Sequence, residues 1–144
     1  MTELARPGLH HVALTVTSFE RSVPWYEELF SIRFVKTAPH DGGVGRLLAD
    51  DGWTLVIVLH EHEVNDGRQF SERATGLDHM GFGVSGRAQL VARQARLVEL
   101  GVEKVAVADR PLTQSPIADT PDGGVLAFRD PDNIQLEFFS PPGT

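Results

Sequence analysis

Short runs of alternating apolar and polar residues dominate the chain, interrupted by two stretches with helical periodicity. His11 to Val16 is apolar and β-branched and reads as a strand. Ser18 can cap a helix reaching about Phe30, although Pro24 inside it removes a backbone donor and draws the expected start toward Ser22. Ile32 to Lys36, Gly45 to Ala49 and Trp53 to Leu59 then read as strands, with Asp50-Asp51-Gly52 turning between the last two. A polar stretch, 61–75, contains Asn65-Asp66-Gly67 and reads as a linker. The same order then returns. Leu77 to Val84 is a strand, and Arg87 to Leu100 is apolar at helical spacing, stopped by Gly101. Glu103 to Val107, Val125 to Phe128 and Ile134 to Phe139 are strands. The stretch 108–124, with Pro111, Pro116 and Pro121, reads as a long loop of the kind that covers binding sites.

The pattern is therefore β-α-β-β-β written twice, with module one at 9–60, the linker at 61–75 and module two at 76–140. The opening words also match. Gly8-Leu9-His10-His11-Val12-Ala13-Leu14-Thr15-Val16 returns as Gly76-Leu77-Asp78-His79-Met80-Gly81-Phe82-Gly83-Val84, with a histidine in the same place. Strand side chains alternate between faces. His11, Ala13 and Thr15 share one face, as do His79, Gly81 and Gly83, and as do Gln135, Glu137 and Phe139. The opposite faces are wholly apolar and suited to a core. If the second faces line one concavity, His11, His79 and Glu137 point into it. Two imidazoles and a carboxylate form a facial ligand set that suits Fe(II) and also admits Mn, Ni, Co or Zn, leaving positions open for substrate.

Composition narrows the function. The chain has 144 residues, 41% hydrophobic and 23% charged, which fits a folded domain of ordinary composition. A formal charge of -7 argues against nucleic acid and against an anionic membrane surface as partners. With no cysteine, disulfides and thiolate metal sites are excluded. Neither a signal-like run nor a membrane-length apolar stretch is present, so the expectation is a cytoplasmic protein.

The residues quoted, with Arg21-Ser22-Val23-Pro24-Trp25-Tyr26 and above all Phe128-Arg129-Asp130-Pro131-Asp132-Asn133-Ile134-Gln135-Leu136-Glu137, resemble the vicinal oxygen chelate superfamily. That family includes glyoxalases, bleomycin- and fosfomycin-resistance proteins and extradiol dioxygenases. The resemblance implies an α+β fold of two tandem modules forming a curled, cup-like mixed sheet with helices outside. It also implies homodimers and metal ligands at His11, His79 and Glu137, with a site built within one chain or across two. Glyoxalase I enzymes carry a fourth ligand on the last strand of the first module. Aligning Asp50-Asp51-Gly52 with Asp130-Pro131-Asp132 puts that position at Ile57, and a slip of one puts it at Val58; neither can ligate. The expected function is thus a metal-dependent, dioxygenase-like enzyme acting on a small substrate with vicinal oxygens. Glyoxalase-like isomerisation or thiol transfer, and sequestration of a drug or metabolite without catalysis, are the alternatives. His10 and Asp78 are expected to point away from the concavity. His40 and His62 are expected in exposed loops. Arg129 is expected at the surface or against an anionic substrate.

Overall fold

A computed structural model describes residues 1–144. The first module comprises β1 (Val12–Thr15), α1 (Phe19–Phe30), β2 (Arg33–His40), β3 (Gly43–Ala49) and β4 (Val56–His62). The second comprises β5 (Met80–Gly83), α2 (Arg87–Glu99), β6 (Glu103–Lys104), β7 (Thr113–Gln114), β8 (Ala118–Thr120), β9 (Gly123–Arg129) and β10 (Gln135–Ser140). Each module makes its own sheet, ordered β1-β4-β3-β2 in one and β5-β10-β9-β7-β6 in the other, with β8 also on β9. In both, the module's first strand pairs in parallel with its last, and the remaining long neighbours are antiparallel.

Strand alternation delivers one face of each sheet to a single core. Leu14, Leu48, Ile57 and Leu59 meet Leu126, Phe128, Leu136 and Phe138 through α1, which buries Trp25, Tyr26, Leu29 and Phe30, and through Leu90 and Leu97 of α2. Phe30 spans the modules, its ring 4.8 Å from that of Phe82 and 5.3 Å from that of Phe138. The opposite faces, carrying Ala13 and Thr15 on β1 and Gly81 and Gly83 on β5, are exposed.

Several local expectations are corrected. Helix α1 starts at Phe19, not near Ser22: Ser18 is its N-cap and accepts from Arg21 N at 3.4 Å. Pro24 is held inside the helix on its exposed side, where the buried opposite face outweighs one lost backbone bond. The stretch 108–124 is not a free loop over a cavity, because β7 and β8 within it extend the sheet from β9. Strands β2 and β4 run further than their apolar patterns indicate, to His40 and His62.

The turn between β9 and β10 fastens the modules. Buried Asp130 accepts from Tyr26 Oη at 2.7 Å, from Ile134 N at 2.7 Å and from Asp132 N at 2.9 Å. Asp132 in turn accepts from Thr17 N and Oγ1 at 3.0 and 2.5 Å. Burial lifts the Asp130 carboxyl to about 6, against the pull of its donors and with some help from Asp132. A folded value above the unfolded one stabilises the fold most below about pH 4, and that stabilisation fades as pH rises through 6. Urea denaturation of wild type and Asp130→Asn at pH 4 and pH 7 tests this. The stability difference, wild type minus variant, is expected to fall by on the order of 3 kcal/mol between those pH values. Tyr26→Phe is expected to cost about 1–2 kcal/mol by removing a buried donor.

Candidate metal centre

Strand pairing places the chemistry. In the second sheet, β5 and β10 lie parallel with Gly81 opposite Glu137. A Cβ at position 81 would sit 3.1 Å from Glu137 Oε1, so the glycine leaves the space that the carboxylate occupies. His79 lies just before β5, and its Nε2 is 3.6 Å from Glu137 Oε1. Its other nitrogen, Nδ1, is 2.5 Å from Asp78 Oδ1. The carboxylate of Asp78 thus holds the ring so that Nε2 faces Glu137, the arrangement by which a carboxylate orients a metal-binding imidazole. Two acidic neighbours raise the His79 pKa, the Asp78 hydrogen bond most, while partial burial opposes them.

The first sheet repeats half of this. His11 Nδ1 lies 2.8 Å from His10 Nδ1, so His10 takes the place beside His11 that Asp78 takes beside His79. Both flanking groups thus touch the candidate ligand next to them. His11 lies just before β1, an edge strand of the other sheet, whereas His79 and Glu137 belong to the β5–β10 pair. Within one chain no group of three or more His, Cys, Asp or Glu side chains is arranged to hold a metal ion. The structure thus joins His79 to Glu137 and leaves His11 apart from them.

The register also corrects the alignment of the two modules. Ala13, two residues past His11, pairs with Val58, as Gly81 pairs with Glu137. The twin of Glu137 is therefore Val58, not Ile57, which is fully buried in the core. The conclusion drawn from that position is unchanged, since valine cannot ligate.

Other polar candidates move. Arg129 is buried rather than at the surface: its guanidinium meets Glu72 at 3.0 and 2.9 Å, the Ala108 carbonyl at 3.0 Å and the Asn133 carbonyl at 3.2 Å. That bidentate pair holds the Glu72 carboxyl down at about 2 and ties the crossing between modules to the base of β10. His40 and His62 are not in loops. With His60 they occupy the exposed-side face of the first sheet, rings 4.9–6.0 Å apart. Burial, then the neighbouring His40, His62 and His11, lowers the His60 pKa. The alternation of His60 and His62 on one strand was the available signal for this cluster, missed because the strand was ended at Leu59.

The model of the Glyoxalase/Bleomycin resistance protein/Dioxygenase superfamily matches residues 8–138. Among solved structures, a glyoxylase/bleomycin resistance protein/dioxygenase domain from Frankia sp. EAN1pec is 31% identical, with a TM-score of 0.83 over 97% of this chain and 96% of that one. The fosfomycin resistance protein FosX from Listeria monocytogenes, complexed with Mn(II) and sulfate ion, is 20% identical, with a TM-score of 0.64 over 97% and 95% of the two chains. FosX from Mesorhizobium loti is 19% identical, with a TM-score of 0.65 over 94% and 92%. At those identities the FosX likeness speaks for the fold alone. No curated protein matches the chain.

The contact between Asp78 and His79 makes a direct prediction. In metal-free protein, Asp78→Asn removes the largest cause of the raised value, so the His79 imidazole is expected to titrate at lower pH. Histidine NMR titration of the two proteins reads this, and an unmoved His79 would show that Asp78 does not hold the ring.

Proposed function

Since the chain belongs to the Glyoxalase/Bleomycin resistance protein/Dioxygenase superfamily, we propose that it is a divalent-metal-dependent enzyme acting on a small organic substrate with adjacent oxygens. The observation that carries this reading is the His79–Glu137 pair, with its donor atoms 3.6 Å apart and its imidazole held from behind by Asp78. Such a pair fits two ligands of a facial set. The third is His11 of a second copy. The two half-sites lie on faces turned away from the single core, and a two-fold pair of chains would bring unlike faces together. A homodimer is therefore part of the proposal.

A divalent ion held there supplies open coordination positions and Lewis acidity toward the substrate oxygens. The chain's own groups do the rest. Asp78 fixes the His79 ring, Glu137 offers its carboxylate over Gly81, and the small residues Ala13, Gly81 and Gly83 leave room for a substrate above the ligands. We assign oxygenation as the reaction class and Fe(II) as the ion, because Val58 supplies no fourth ligand and no carboxylate to move a proton. A second reading is glyoxalase-like isomerisation or thiol transfer with another divalent ion, for which Mn(II) is the candidate because a FosX structure of the same fold carries it with 1S,2S-dihydroxypropylphosphonic acid. A cytoplasmic setting belongs to either reading.

Metal analysis of anaerobically purified protein separates the two, with iron expected. Subunit mixing tests the site. His11→Ala and Glu137→Ala are each expected to lose the iron. Dimers mixed from the two variants should regain one intact site per pair, because one chain keeps His79 and Glu137 while the other keeps His11. Full iron retention in both single variants would overturn the ligand set, and no recovery on mixing would return all three ligands to one chain.

A further inference from the structure

We propose that His40, His60 and His62 form a second metal site, an all-imidazole seat for Zn(II) or a similar divalent transition ion. It shares no ligand with the first site, but it lies on the same face of the first sheet as His11, beside the Ala13 that the proposed function uses as room for the substrate.

The sheet register builds it. On β3, Gly43 pairs with His40 on one side and His62 on the other, and Gly45 pairs with His60. All three imidazoles therefore stand on one face. Gly45 leaves the room that the His60 ring occupies, since a Cβ there would sit 2.8 Å from His60 Cε1; at position 43 a Cβ would meet the Glu61 carbonyl first, at 2.4 Å, and His40 Cε1 at 2.7 Å. The ring centres are 4.9, 5.1 and 6.0 Å apart. Imidazoles bound at Zn–N lengths of about 2.0–2.1 Å with tetrahedral angles have centres about 5 Å apart.

The hydrogen bonding asks for a cation. His40 Nδ1 lies 3.0 Å from the Asp41 carbonyl, which can only accept, so Nδ1 carries the proton and Nε2 the lone pair. That Nε2 is buried without a partner, and so is His60 Nδ1. Buried polar atoms of this kind call for an explanation, and a lone pair suits a metal ion rather than an anion. The nearest carboxylate along the strand, Glu61, is turned to the other face, where it accepts from Phe19 N at 2.5 Å. Neutral nitrogen donors without oxygen favour Zn, Ni or Cu over Mg or Ca. The donors do not yet converge on one point. Binding therefore requires the His60 and His62 rings to turn within the open groove of about 320 Å³ that the three histidines line with Ala13 and Thr15, while His40 keeps its bond to Asp41.

The test exploits the histidine count. Of the six histidines, His10→Ala, His11→Ala and His79→Ala together remove every one outside the cluster. All three are exposed, so the core is untouched. Titrating this variant with Zn(II) alone, by calorimetry and imidazole nitrogen NMR, is expected to show one ion per chain and a shift of His40 Nε2. Adding His60→Asn or His62→Asn should weaken uptake by more than about tenfold. If His60→Asn does not fold, His62→Asn at the exposed strand end decides alone. No uptake, uptake unchanged by these substitutions, or a response of the rings to inorganic phosphate and not to Zn(II) would overturn the proposal.

Discussion

A single buried carboxylate organises this molecule. Asp130 sits at the tight turn before the last strand and takes hydrogen bonds from a tyrosine of the first module and from two backbone amides of its own turn. Each bond to a charged acceptor contributes on the order of 1.5–3 kcal/mol, and the burial of the charge opposes them. The arrangement is therefore both a clamp and a source of strain that only the full set of donors offsets. Ile134, one of those donors, leads directly into β10, so the direction in which Glu137 leaves the sheet is set by the turn. Thr17 and Arg21 hold the same turn through Asp132. The segment most specific to the family in sequence is structural first, and it reaches the site only through the strand it aims.

Placing both helices and both apolar sheet faces in one core has a geometric cost. Each sheet has only two faces. Once the apolar one is used, the polar one must look outward. The small residues opposite Glu137 and along β1 are what a sheet presents when something else is to lie on it. In one chain His79 and Glu137 meet, and no third His, Cys, Asp or Glu joins them in a metal-holding group.

Much of this was legible in the sequence, because alternation is a strong physical signal. The wholly apolar strand faces that form the core and the repeated order of elements follow from side-chain direction and the burial of apolar surface. Errors arose where a longer-range force decided. Pro24 draws the expected helix start toward Ser22, but tertiary packing of Trp25, Tyr26, Leu29 and Phe30 holds a helix that starts at Phe19 through it. Turn matching gave Ile57 as the counterpart of Glu137, whereas ladder pairing gives Val58. Strand ends at His40 and His62 were invisible because polar residues on an exposed face carry no hydrophobic signature. Arg129 was read by its charge, and its partner Glu72 lies in a stretch whose sequence shows only polarity.

The parallel pairing of the first and last strands of each module bears on how the protein matures. Hairpins such as β2–β3 and β9–β10 can form from neighbouring segments, but β5 meets β10 only after the whole second module has come together. Contacts of such wide sequence separation close late and slowly. His79 stands at the entrance of β5 and Glu137 in the middle of β10, so their meeting belongs to the final closure. In the proposed first site a partly folded chain holds these two donors apart, so the completed pair of His79 and Glu137 marks the closure of the second module.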